Sequence, residues 1–375
     1  MTRSFDVAVA GAGVLGLAHA YHLARRGLRV VVFERRPRAQ GASVRNFGMI
    51  WPIGQPPGPR HDLALRSREH WLQVLRAAGL WHQTCGSLHL AYHDDETQVL
   101  REFATGAAQG YPCQLCTAGQ VTDRFPAVRA EGLRAALWSP REVVVDPRQV
   151  VARLPEWLAR TWGVTFAFGT AVLRFEPPRL VTTDGDWSAR ALVVCGGADF
   201  REVAPDAFAQ SGLVPCKLQM LRSQPYGGRF HLGTLLAAGL TLRHYPAFAA
   251  CPTLPALSRR LDAELPDHGR YGVHVLVAQN EAGELVIGDS HEYGDAVEPF
   301  DKPEIDELIL SYLRTFVTVP DLTIAARWHG VYVKHPTEPY VVARPLPELL
   351  AVTGAGGAGM TLSFGLAEQT LRDWP

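Results

Sequence analysis

The chain has 375 residues, 47% of them hydrophobic, with 37 basic and 37 acidic side chains and so a formal net charge of zero. That length accommodates two packed units. The charge balance does not favour nucleic acid or an anionic membrane surface as a general partner, and no apolar run is long enough for an integral membrane segment.

Lysine occurs only as Lys217, Lys302 and Lys334, so each can be weighed separately. Six cysteines without regular spacing predict reduced thiols and a cytoplasmic setting. Cys113 and Cys116 form a C-x-x-C with no second pair to complete a metal site. Two ordinary thiols are expected there, and no metal is assigned. A strand starting at Phe5 leaves no room for a signal or transit sequence.

In chain order, Phe5 to Ala10 reads as a buried strand and Val14 to Arg26 as a helix. Between them Gly11, Gly13 and Gly16 follow the G-x-G-x-x-G pattern. The first glycine permits the tight turn, the second lets a pyrophosphate approach the backbone, and the third lets helix and strand pack closely. A second strand, Arg29 to Phe33, ends at Glu34, where a carboxylate can accept both ribose hydroxyls. Strand, helix, strand and terminal acid together predict an adenine dinucleotide, with Val14, Leu15 and Arg35 beside it. They do not separate NAD from FAD.

Residues 41 to 55, GASVRNFGMIWPIGQ, are too polar for a core strand and too rich in glycine for a helix. The segment resembles the flavin-contacting loop of the D-amino-acid oxidase superfamily, which includes glycine and sarcosine oxidases. The resemblance implies non-covalent FAD, with Ala42, Ser43, Arg45, Asn46, Gly48 and Met49 along the pyrophosphate and ribityl chain. Two later stretches share it. TAVLRF and ARALVVCGGADF would bring Val172 to the adenine and end at Gly196 and Gly197. Near the C-terminus, LLAVTGAGGAGMTLSFGLAEQ places Gly354, Gly356, Gly357, Gly359, Met360 and Thr361 around the start of a helix from about Thr361. Its dipole would face the pyrimidine end of the flavin.

The implied fold class is α/β. A discontinuous, Rossmann-like FAD-binding domain would comprise 1–84, 146–215 and 326–375. A second, α+β substrate domain, built on a mixed or antiparallel sheet, would comprise 85–145 and 216–325. SLHLAY, YGVHVLVAQ and GELVIGDS read as its strands and PEIDELILSYLRTFV as its amphipathic helix. Asp146 is expected to cap a helix with Pro147 at its first position. Gly288 and Asp289 read as a turn. Lys217 is expected at the surface, the alternative being a place near the flavin that assists oxygen.

The chemistry the family implies is oxidation of a carbon–nitrogen bond in a small-molecule amine, with O2 or a quinone or electron-transfer protein as acceptor. In RWHGVYVKHPTEPYVV, aligning Trp328 and Gly330 with the family's W-x-G-L-R-P puts Tyr332 where an arginine would clamp a substrate carboxylate. Lys334, His335 and Arg45 are candidates for binding a different anion, and Met49 completes the set of pocket candidates. No dedicated base is assigned. Trp51 and Gln55 are read either as pocket or as core. The loop together with HGVYVKHPTEP resembles a subgroup associated with aminophosphonate breakdown. The expected activity is therefore FAD-dependent oxidative deamination or demethylation of a relative of (N-methyl) 2-aminoethylphosphonate. The alternatives are an oxidase of glycine, sarcosine or a D-amino acid, and a non-catalytic flavin-binding protein.

Overall fold

A computed structural model describes residues 4–107, 110–202, 204–372 and 374. The predicted first strand is found at Ser4–Ala10, the helix at Val14–Arg25 and the second strand at Val30–Glu34. Val7, Val9, Val30 and Val32 are buried on one face and Ala8, Val31 and Phe33 on the other, as expected of strands covered on both faces. They form the centre of an eight-stranded sheet among the described residues. Five of its strands run parallel, in the order Thr165–Phe168, Val30–Glu34, Ser4–Ala10, Gly185–Val194 and Leu349–Thr353. Val172–Glu176, Arg179–Thr182 and Val341–Leu346 add antiparallel edges.

Asp146 accepts a hydrogen bond from the Arg148 amide and caps Pro147–Trp162, with Pro147 in the first turn. The C-terminal helix, Gly359–Leu371, packs on Pro59–Ala78. At Gly365 a Cβ would sit 2.6 Å from the Leu63 carbonyl oxygen, so the two helices meet backbone to backbone there.

Among the described residues a nine-stranded sheet is built mainly from the middle of the chain. Its order is Glu292–Tyr293, Val214–Ser223, Leu285–Gly288, Leu276–Gln279, Leu235–Ala237, Ser87–Ala91, Ala135–Ser139 and Gln114–Thr117. All pairs are antiparallel except Leu235–Ala237 with Ser87–Ala91, so the sheet is mixed. The helix Pro303–Phe316 lays Ile305, Ile309, Leu313 and Phe316 against its core. A third, small sheet joins Met49–Ile50, Val143–Val145 and His82–Gln83. No helix of the described residues is long and apolar enough to cross a membrane.

One strand crosses an expected boundary, and two expectations are corrected. Ile324–Lys334 pairs along its length with Val214–Ser223 in the second sheet, although a boundary at 326 assigns most of it to the first unit. Gly288 and Asp289 do not form a turn. Gly288 is paired with Met220 and Leu276, and Asp289 exchanges backbone hydrogen bonds with His274, so the ladder continues. Lys217 is not at the surface: its side chain is 1% exposed. It donates to the Phe300 carbonyl and lies 3.2 Å from an Asp301 oxygen, the pairing that a buried ammonium requires. It does not line the cavities described next.

Candidate active site

The turn after the first strand opens a cleft of about 330 Å³. Gly11 holds φ at +107°, and a Cβ on it would stand 2.4 Å from the Cys195 carbonyl oxygen. At Gly16 a Cβ would stand 1.8 Å from the Gly11 carbonyl oxygen, so this glycine lets the helix close on the turn. Glu34 reaches back to the same turn: its carboxylate accepts from the Ala12 and Arg36 amides at 3.2 and 3.1 Å. Ser43 Oγ accepts from the Val14 amide at 3.0 Å and ties the glycine-rich loop to the helix start. Asn46 donates to the carbonyls of Ala42 and Ser43 and accepts from the Gly48 amide, bracing that loop internally.

Gly11, Gly13, Val14, Leu15, Glu34, Arg35, Ala42, Ser43 and Arg45 line the cleft from one side. Val172, Gly196, Gly197, Gly354, Gly356 and Gly359 line it from the other. A Cβ on Gly41, Gly197 or Gly359 would meet no atom within 4 Å, so bare backbone faces the space. A long, phosphate-bearing group fits such a cradle, since glycine leaves amides within its reach.

A second cavity of about 450 Å³ adjoins the cleft and shares Val14, Ser43, Arg45, Tyr332 and Gly354 with it. Asn46, Gln55, Gly357, Met360, Lys334 and His335 line it. Several residues expected at the site lie behind it. Gly48, with φ +74°, is required by the Val145 carbonyl 2.0 Å from its would-be Cβ. Met49 and Trp51 belong to a hydrophobic core. Thr361 is buried and accepts the Trp51 amide at 2.9 Å.

The candidates for anion binding differ in how free they are. Arg45 donates to the His329 carbonyl at 3.1 Å, Arg60 to the Thr337 carbonyl, and Arg243 to Asp262. His335 Nδ1 accepts the Thr337 and Glu338 amides at 3.1 and 2.8 Å, so the ring caps a turn. Lys334 Nζ has no hydrogen-bond or ion-pair partner among the described residues and sits 5.9 Å from the Tyr293 ring centre. Burial and the neighbouring Cys216 and Asp289 push the Tyr332 phenol well above its ordinary value, so it remains a neutral hydrogen-bonding group.

Sequence reasoning missed the far wall of this cavity, made by His244, Tyr245, His274, Asp289 and His291. These residues are spread over 48 positions with no ligand-like spacing. The usable signal was GDSH, where residues two apart along extended backbone put Asp289 and His291 on one face. Burial depresses His291 to about 4 and His244 and His274 well below 6.5, and it raises the Asp289 carboxyl. The three histidines are therefore neutral at neutral pH.

Fold and cleft together define a dinucleotide-binding α/β protein with a second, adjoining cavity. The sequence profile of the family described as FAD dependent oxidoreductase (DAO) matches residues 6–372, and the chain belongs to that family. Among curated relatives, glycine oxidase of Geobacillus kaustophilus is 30% identical over 213 residues, 53% of this chain and 56% of that protein. The chain thus spans about half the length of this relative. N-methyl-L-tryptophan oxidase of Yersinia pestis is 24% identical over 383 residues, 97% of this chain and 93% of that protein. The crystal structure of the Geobacillus kaustophilus glycine oxidase superposes with a TM-score of 0.77 at 22% identity, over 100% of this chain and 95% of that one.

Proposed function

We propose that this oxidoreductase oxidises the carbon–nitrogen bond of a small amine bearing an anionic group other than a carboxylate. The class favoured is an aminophosphonate related to (N-methyl) 2-aminoethylphosphonate. Bound FAD supplies the acceptor for hydride from the carbon beside the amine; the resulting imine is hydrolysed by water. The residues of this chain hold and orient the substrate. The proposed cofactor residues are those lining the first cleft, with Gly16 closing its turn, Asn46, Gly357 and Met360 at the adjoining cavity, and Gly48, Met49 and Thr361 behind that cavity.

The observation that carries this reading is Lys334, an exposed ammonium at the cavity with no hydrogen-bond or ion-pair partner among the described residues. A tetrahedral dianion suits a point charge of this kind, whereas a carboxylate suits a planar guanidinium fork. At the position of the family's carboxylate clamp stands Tyr332, which can donate one hydrogen bond and cannot chelate a carboxylate. The amine must arrive neutral.

The units proposed are 1–84, 146–215 and 326–375 for FAD, and 85–145 and 216–325 for substrate, with Ile324–Lys334 bridging them. The acceptor is O2 or a quinone or electron-transfer partner. Six free cysteines support a reducing compartment, the cytoplasm.

A test that needs no turnover is to titrate the FAD-loaded protein with methylphosphonate and with acetate while following the flavin spectrum. Perturbation by methylphosphonate at lower concentration is expected. The second reading, a glycine or sarcosine oxidase, is favoured by the likeness to glycine oxidase and predicts that acetate wins.

A further inference from the structure

The mechanism above makes no use of the three histidines on the cavity's far wall. His244 ends the short helix Gly239–His244, His274 precedes the strand Leu276–Gln279, and His291 lies two residues beyond Asp289. One ring nitrogen from each lies within 4.8 Å of the others. His274 and His291 are 3% and 7% exposed, while His244 is half-buried towards the cavity.

Hydrogen bonding sets which nitrogen carries the proton. His291 Nδ1 is 3.0 Å from the Gly272 carbonyl oxygen, which can only accept, so Nδ1 is protonated and Nε2 keeps its lone pair. His274 Nε2 lies 3.1 Å from Asp289 Oδ1, a carboxylate–imidazole contact that favours the proton on Nε2. His274 Nδ1 is buried without a hydrogen-bond partner among the described residues, and an unsatisfied polar atom this deep in the wall is costly unless something binds there.

We propose that His244, His274 and His291 bind one divalent first-row transition ion of the zinc class, with Asp289 as the carboxylate behind His274. Neutral imidazole is the form that ligates such ions. Bonds of about 2.0–2.1 Å in a tetrahedral site set the nitrogens roughly 3.4 Å apart, so the nitrogens close by up to about 1.4 Å and the His244 and His274 rings, 3.7 Å between centres, turn their edges to the ion. Three protein ligands leave a fourth position on the cavity side. The carboxylate–histidine–metal arrangement is one that raises ligand basicity and fixes the ring. This inference does not depend on the identity of the amine.

The FAD-loaded protein is stripped with a chelator, dialysed against Zn2+ or Co2+, and passed through a desalting column. Elemental analysis should find one ion per chain, and Co2+ should add visible bands at wavelengths longer than the flavin's. His274→Ala and His291→Ala should keep FAD and lose the stoichiometric ion, and Asp289→Asn should weaken binding about 10- to 100-fold. Should either buried histidine variant fail to fold, the half-buried His244→Gln carries the same expectation. Wild-type protein that retains no stoichiometric ion, or histidine variants that retain a full one, would overturn the proposal. So would stripped protein that takes up inorganic phosphate at these histidines and no metal.

Discussion

Gly13 and Lys334 separate the two jobs of the site. A Cβ on Gly13 would lie 3.0 Å from Ser43 Oγ, and further methyl groups would occupy the cleft itself. Gly13→Val is expected to fold and to purify without yellow cofactor; a fully flavinylated variant would remove the pyrophosphate's approach from this turn. Lys334→Ala should leave FAD content unchanged. Loss of one charge-assisted hydrogen bond, about 1.5–3 kcal/mol, corresponds to a 10- to 100-fold rise in KM for an anionic amine. An unchanged KM would return Lys334 to an ordinary solvated charge. His335→Ala should affect the substrate far less, because its Nδ1 already serves the amides of Thr337 and Glu338.

At the scale of elements, the helix pair behind the flavin loop makes the sharpest demand. Gly365 stands 2.6 Å, at its would-be Cβ, from the Leu63 carbonyl, and Trp71 Nε1 donates to the Met360 carbonyl at 2.7 Å. Gly365→Ala should therefore push Gly359–Leu371 away from Pro59–Ala78, at about 1–3 kcal/mol of stability. Because the same helix begins at the cofactor cleft, FAD affinity should fall with it. A lower Tm with unaltered FAD affinity would show that the helix start is held independently. These elements were legible in the sequence because local rules specify them: the glycine turn, the capping Asp146, the alternating and helical apolar patterns. The histidine wall was not, because it is made by pairing. His274 reaches Asp289 only through the ladder that joins Leu276–Gln279 to Leu285–Gly288. The burial of Lys217 was hidden for the same reason, since its partner Asp301 arrives from a loop 84 residues on.

For the whole molecule, the buried histidines set how stability responds to acid. Burial lowers His19 and His291 to about 4 and His22 and His89 to about 3, and His244 and His274 are lowered as well. A histidine held neutral in the folded state and free to protonate in the unfolded state contributes stability above about pH 6.5. That contribution is lost as the pH falls from 6.5 towards 4, where the unfolded chain binds more protons. The raised carboxyls of Glu142, Asp289 and Asp306 act in the opposite sense, but they are three groups against eight, since burial also lowers His61 and His268. The Tm of the FAD-loaded protein should therefore drop between pH 7 and 5. A flat or rising Tm over that range would mean that the raised carboxyls dominate.

The measurement that bears most directly on the function is anaerobic mixing of the yellow protein with N-methyl-2-aminoethylphosphonate. 2-Aminoethylphosphonate, sarcosine, glycine and D-alanine would run in parallel while the flavin absorbance is followed. Rapid bleaching by the phosphonates, with slow or no bleaching by the carboxylates, is the expected result. Rapid bleaching by sarcosine, glycine or D-alanine and none by the phosphonates would contradict it, and would make Lys334 and Tyr332 parts of a carboxylate site.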